Sequence, residues 1–140
     1  MKLILQTVSN AKVLIKEKVI NEINKGLLIY VGFEKDDNNE TIEKASNKIV
    51  NFRVFENFSK SIKDINGEIL LISNFTLPAI TKKGTKPNFK NSMDFKNANI
   101  LYEKLLNQLN HNIITKSGIF GENMQIISIN EGPINIIMEL

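Results

Sequence analysis

Residues 68–81 read Glu68-Ile69-Leu70-Leu71-Ile72-Ser73-Asn74-Phe75-Thr76-Leu77-Pro78-Ala79-Ile80-Thr81, and the fold turns on how they are read. Residues 69–72 are an unbroken apolar run. A strand buried on both faces has this composition, and a buried helical segment shares it. Gly67 before the run and Pro78 after it favour the strand. At Ser73 the chemistry switches to hydroxyl, amide and aromatic groups. The expectation is a strand driven through the core that presents Ser73, Asn74, Phe75 and Thr76 where it emerges. A second stretch, Asn130-Glu131-Gly132-Pro133, is expected to meet it.

Working outward, Gly26 opens Leu27-Leu28-Ile29-Tyr30-Val31-Gly32-Phe33, another continuous apolar run and a candidate central strand. Residues 2–8 read as a strand ending at the turn signal Ser9-Asn10. Residues 11–15 and 19–23 read as a hairpin around Lys16-Glu17-Lys18. The polar loop 34–39 offers acidic and Asn caps for a helix, and Ile42, Ala45, Ile49 and Phe52 then recur at helical spacing. Residues 53–55 return to extended structure, and 59–66 are loop-like. Residues 82–90 are basic, carry Gly84 and Pro87, and read as a surface loop. Phe95, Ala98, Leu101, Tyr102, Leu105 and Leu109 share one face of a second helix. A short strand at 113–117 and strand-like runs at 124–129 and 134–140 complete the chain. About seven or eight strands and two helices, without regular βαβ alternation, make an α+β protein.

A length of 140 residues fits a single domain, residues 1–140, with no internal repeat or linker. The net charge of +3 is compatible with a polyanionic partner such as RNA without requiring one. The chain has no cysteine and one histidine, His111. Disulfides, thiolate metal sites, a Cys nucleophile and a His-rich metal cluster are therefore excluded within one chain. No apolar run reaches membrane-spanning length and no signal-peptide pattern is present, so the cytoplasm is the expected location.

Ser73, Asn74, Phe75 and Thr76 form a candidate site at a strand exit, where a rigid scaffold positions chemistry. The plainer account is a strand end whose side chains bond to neighbouring backbone. A Thr or Ser nucleophile needs an adjacent base, and nothing ties His111 to Thr76. Gly132-Pro133 reads either as a hairpin turn or as a rigid loop whose backbone faces a ligand. Lys82, Lys83, Lys86 and Lys90 are either a solvated loop or phosphate contacts. Asp36 and Asp37 read as helix-start residues before they read as a cation site.

Ser73-Asn74-Phe75-Thr76-Leu77 closely resembles the Ser-Gln-Phe-Thr-Leu signature of the D-aminoacyl-tRNA deacylases. Asn130-Glu131-Gly132-Pro133-Ile134-Asn135 resembles that family's Asn-x-Gly-Pro-Val-Thr signature. The resemblance extends to Gly26-Leu27-Leu28, to the segment from Gly32 to Asp37, to Arg53-Val54-Phe55 and to Gly84-Thr85-Lys86-Pro87-Asn88-Phe89. It continues through the segment from Thr115 to Phe120 and Met124-Gln125-Ile126, so it covers essentially the whole chain in order.

The resemblance implies a homodimeric ester hydrolase with a compact β-barrel-like body, two flanking helices and no cofactor or metal. Its substrate would be the ester between a D-amino acid and the 3′-terminal adenosine of tRNA, with glycyl-tRNA as a further substrate class. It places Ser73, Asn74, Phe75 and Thr76 at the reacting end, with backbone N–H groups of Phe75 and Thr76 as oxyanion donors. Gly132, Pro133, Asn130 and Met124 would form the chiral filter and substrate contact, with a cis Gly-Pro loop reaching into the other subunit. The 2′-hydroxyl of the terminal ribose would take part in the chemistry; an older reading makes the signature threonine the nucleophile. Three positions depart from the pattern. Asn74 stands where the family has Gln, Asn135 where it has Thr, and Thr7 where it usually has Arg, a residue associated with locking the Gly-Pro loop. A non-catalytic module that binds the tRNA end is the alternative function.

Overall fold

The computed structural model describes residues 1–140. In chain order the elements are β1 (Lys2–Ile15), β2 (Lys18–Ile23), β3 (Gly26–Gly32), α1 (Asn39–Asn51), β4 (Arg53–Phe55), β5 (Lys60–Ser61), β6 (Glu68–Ser73), α2 (Phe95–Asn110), β7 (Thr115–Ser117) and β8 (Gln125–Glu139). The main sheet runs β2-β1-β3-β6-β7, and β8 pairs with β1. β1 is antiparallel to β2, β3 and β8. β3, β6 and β7 are parallel, and α1 and α2 lie in the connections between them.

The two apolar runs are continuous because each of their faces meets a different core. Leu27, Ile29 and Val31 of β3 and Ile69 and Leu71 of β6 pack with Ile42, Ala45 and Ile49 of α1 and Leu101, Tyr102, Leu105 and Leu109 of α2. The alternate residues Leu28, Leu70 and Ile72 face inward onto Val8, Ala11, Val13 and Ile23. Strand alternation thus sends neighbours to opposite cores. Full burial of each such side chain is worth roughly 1.5–3 kcal/mol, which secures β6 along its whole apolar length.

The inner core exists because β1 bends. Its first half pairs with β3 and its second with β2, on the same edge, while β8 follows the opposite edge with register shifts near Val8. The curled sheet brings β2 towards β7, where side chains bridge the seam. Asn21 Nδ2 donates to Ser117 O at 2.7 Å, and Lys116 Nζ donates to Glu22 O at 2.7 Å. The result is a nearly closed, barrel-like body with both helices on its outer face.

Two expectations need correcting. Ser9-Asn10 is not a turn between strands, because β1 passes through it; the polar pair sits where the pairing with β8 shifts register. Nor do residues 124–129 and 134–140 flank a hairpin. They are the two halves of the single strand β8, both paired with β1. The hairpin at Lys16-Glu17 is as expected, and both residues have positive φ, as a two-residue loop of matching twist requires.

Asn38, not Asp36 or Asp37, caps α1. Its side chain accepts from the N–H groups of Glu40 and Thr41. Asp37 instead accepts from the Met1 ammonium at 2.7 Å and from the Glu34 N–H. No helix is long and apolar enough to cross a membrane.

Candidate active site

Three parallel strands end side by side, and a cavity opens at their carboxyl ends. β3 contributes Val31 and, just beyond its end, Phe33; β6 contributes Ser73, followed by Asn74 and Phe75. The segment after β7 contributes Phe120, Gly121 and Glu122. Ser92 and Met93 come from the loop before α2, and Phe95 and Ala98 from its first turns. The cavity holds about 350 Å³. Open parallel sheets place ligands at this end of their strands because the connections diverge there.

The signature residues form a tight turn. Asn74 N–H donates to Val31 O at 2.7 Å, which ties the turn to β3. Leu77 N–H donates to Asn74 O at 3.3 Å and Ala79 N–H to Thr76 O at 3.1 Å. Gly32 makes this approach possible. A Cβ there would lie 2.7 Å from Asn74 O, 2.6 Å from Pro78 Cδ and 2.8 Å from Leu77 Cβ.

Asn74 turns its own side chain back onto the motif. Its Oδ1 accepts from Thr76 N–H at 3.1 Å and also from the Thr76 hydroxyl. This is the Asx turn that a short amide makes two residues on. The Thr76 hydroxyl therefore points at an amide oxygen, which cannot take its proton. Phe75 N–H has no partner within the chain, whereas Thr76 N–H is occupied. Of the two N–H groups expected as oxyanion donors, that of Phe75 is free within the chain and that of Thr76 is taken up by Asn74 Oδ1.

Aromatic rings build the walls. Phe75 is exposed and packs on Phe89 with ring centroids 5.5 Å apart. Phe120 meets Phe95 at 5.1 Å and Tyr102 at 5.4 Å. The Tyr102 hydroxyl donates to Leu71 O at 2.8 Å, and burial pushes its pKa up. Phe95, expected on the buried face of α2, stands largely exposed at the helix start, over Gly121. Asp94 caps that helix through Asn97 N–H at 3.1 Å. This backbone bond first, and the Asn97 side-chain amide second, hold the Asp94 carboxyl below its ordinary range.

Lys82, Lys83, Lys86 and Lys90 lie on an exposed loop, as expected, and none is in an ion pair. The loop is closed at its base by mutual backbone bonds of Ile80 and Asn88, and Phe89 anchors it to Phe75. His111 is the exposed C-cap of α2, at the far end of that helix from the cavity.

The second signature does not join this cavity within one chain. Gly132 lines a separate hollow of about 390 Å³ with Thr7, Lys25, Phe55, Glu56 and Ile134. The two hollows share no residue. Gly132 and Pro133 are exposed on a bulge of β8, joined by a cis peptide bond, and Gly132 has φ +112. Asn130 is half-buried at the base of that bulge. Met124 belongs to neither hollow; it packs on the inner core beside Gly118.

Sequence reading missed Gly32, Phe33, Ser92, Phe95, Phe120 and Gly121 as site residues. Gly32-Phe33, at the end of an apolar run parallel to residues 69–72, was the one available signal.

The fold and site define a class: small barrel-like α+β proteins with an aromatic-walled cavity at the ends of parallel strands and a separate, exposed Gly-Pro bulge. The family model described as D-Tyr-tRNA(Tyr) deacylase matches residues 4–139. Similar curated proteins named D-aminoacyl-tRNA deacylase occur in Nautilia profundicola, 54% identical over 100% of both chains, and in Flavobacterium psychrophilum, 44% identical over 99% of this chain and 97% of the relative. Among solved structures, one titled "c-Myc DNA Unwinding Element Binding Protein" matches with a TM-score of 0.96 and 35% identity, over 100% of this chain and 99% of its own. A probable eukaryotic D-amino acid tRNA deacylase matches with a TM-score of 0.88 at 16% identity, covering 99% of this chain and 98% of its own, and so shares the fold. The chain belongs to the D-Tyr-tRNA(Tyr) deacylase family, a family of D-aminoacyl-tRNA ester hydrolases.

Proposed function

We propose that this protein hydrolyses the ester joining a D-amino acid to the 3′-terminal adenosine of tRNA, and the corresponding glycyl ester, as a homodimer. The carrying observation is that Gly132 and Pro133 stand exposed on a bulge that forms no part of their own chain's cavity. That placement supports a role for them in the site of another copy. The outer edge of β8 pairs with no strand, and Ile127, Ile129 and Ile137 on that strand are exposed, which suits association with a second chain.

On this reading the aromatic-walled cavity takes the aminoacylated adenosine, Phe75 N–H meets the developing oxyanion, and the partner's bulge blocks the side chain of an L-amino acid. A clash, not a better contact, then sets specificity. Water attacks the ester carbonyl, and the ribose 2′-hydroxyl assists proton transfer to the departing 3′-oxygen. Ser73, Asn74 and Thr76 shape the turn that presents Phe75. Asn130 holds the bulge, and Met124 supports β8 from the core side. Lys82, Lys83, Lys86 and Lys90 meet tRNA phosphates, and the working compartment is the cytoplasm.

The non-catalytic reading, a module that binds the tRNA end, is favoured by one feature: Asn74 occupies the Thr76 N–H. Deacylation of D-tyrosyl-, L-tyrosyl- and glycyl-tRNA side by side separates the two. Loss of the D and glycyl esters with the L ester spared is expected. Binding of tRNA without loss of any ester by folded, dimeric protein would overturn the enzyme reading.

A further inference from the structure

We infer that Thr7, Asn130 and Asn135 act as one brace that fixes the Gly132-Pro133 bulge, so that two of the positions departing from the family pattern work together. The β1–β8 ladder pairs Gln6 with Asn135 and then Val8 with Asn130, so residues 131–134 stand against Thr7 alone. Backbone pairing cannot hold such a bulge, and side chains take over. Thr7 is buried, 4% exposed, and its hydroxyl donates to Glu131 O at 2.6 Å. Asn130 Nδ2 donates to Thr7 O at 2.8 Å and to Ile134 O at 3.3 Å, spanning the bulge from both sides. Asn135 Nδ2 donates to Asn130 Oδ1 at 3.0 Å, which fixes the orientation of that amide.

Both donors and the acceptor of the Asn130 amide are thereby used, and the carbonyls of Glu131 and Ile134, which flank the Gly-Pro pair, are both held. The hydroxyl of Thr7 and the amide of Asn135 approach the bulge from opposite ends, with Asn130 between them. Thr7 and Asn135 are positioning residues. Their effect on selectivity rests on the proposed role of Gly132 and Pro133 as the chiral filter.

The test compares Thr7→Val, Thr7→Ser, Asn135→Ala and the Thr7→Val/Asn135→Ala double variant with the full-length dimer. Two quantities are read: hydrogen exchange across residues 125–139, and the ratio of kcat/KM for D- over L-tyrosyl-tRNA. Thr7→Val and Asn135→Ala are each expected to speed exchange and to lower the ratio by about tenfold, the size of one lost hydrogen bond. The double variant should lose no more than about the larger single loss, since members of one network couple. Thr7→Ser should restore both readouts. If Thr7→Val does not fold, Asn135→Ala, on the exposed side, carries the same test.

Unchanged exchange in Asn135→Ala and Thr7→Val would overturn the brace, and simply additive losses would overturn its unity. Gly132→Ala separates the brace from the filter. Faster exchange with full discrimination, where Gly132→Ala destroys discrimination, would overturn the selectivity role of the brace. Discrimination retained in Gly132→Ala itself would overturn the filter reading, while the exchange data still decide the brace.

Discussion

Replacing Gly32 by alanine tests the link between β3 and the turn that carries Phe75. The new Cβ would lie 2.7 Å from Asn74 O, 2.6 Å from Pro78 Cδ and 2.8 Å from Leu77 Cβ. All three atoms belong to the turn that carries Phe75, and one is backbone, so no flexible side chain can absorb the clash. Ordinary contact begins near 3.4 Å, so the turn must recede by several tenths of an ångström. That movement stretches the 2.7 Å bond from Asn74 N–H to Val31 O, the tie between the motif and the parallel sheet. Overpacking of this kind costs about 1–3 kcal/mol in stability. Misplacement of catalytic groups by ~1 Å costs about 10²-fold in rate. Gly32→Ala should therefore lower kcat/KM for D-tyrosyl-tRNA by about 10- to 100-fold, or ~1.4–2.7 kcal/mol of transition-state stabilisation. The drop should exceed what any unfolded fraction explains, as circular dichroism melting and active-site titration would establish. A folded Gly32→Ala enzyme with wild-type kcat/KM would refute the claim that this contact positions the turn.

Thr76→Val removes the hydroxyl that bonds Asn74 and leaves the backbone in place. Loss of a nucleophile costs about 10⁴- to 10⁶-fold, whereas a positioning hydroxyl should cost about tenfold or less; single-turnover deacylation decides between them. Asp94→Ala should lower Tm at pH 7 because α2 loses its N-cap. The Asp94 carboxyl is lowered in the folded state, so its stabilisation is present above the unfolded value of about 3.9 and is lost as pH falls through the folded value. The Tm gap between wild type and variant should thus close in strong acid, and a gap that persists there would show the loss to be packing.

The strands most readable in the sequence were those with a core on each side. Residues 27–31 and 69–72 carry apolar side chains at every position because helices cover one face and the curled half of β1 covers the other. The bends were not readable. Ser9-Asn10 has turn composition, yet whether a polar pair turns the chain or merely shifts its register depends on β8, more than a hundred residues later. Gly132-Pro133 had the same ambiguity, and the long β1 decided against a hairpin. Asn74, Thr7 and Asn135 could be seen from sequence only as departures. Structure gives each a bond: Asn74 caps its own turn, Thr7 holds Glu131, and Asn135 fixes Asn130. Phe120-Gly121 reach the site through the end of β7, and no local pattern announces that.

The composition of the cavity bears on how such a site works. Glu122 is the one ionisable residue in its lining, and it is exposed. His111 caps the other end of the 16-residue α2, about 24 Å along the axis from the cavity. The Thr76 hydroxyl faces an amide. No side chain here is arranged as nucleophile and base, and the proposed mechanism accordingly draws its rate from holding the ester against fixed backbone dipoles and from the substrate's own hydroxyl. Specificity meets a parallel constraint. D and L substrates have identical volume and hydrophobicity, so aromatic walls alone bind both hands. Telling them apart needs a rigid group at the level of the α-carbon, where the two differ in direction. On the proposed reading, the exposed bulge, with no side chain at Gly132, supplies such a group to the cavity of a second copy, and chirality becomes a property of the pair of chains. Hydrolysis would then depend on one chain's turn, and discrimination on the other chain's bulge.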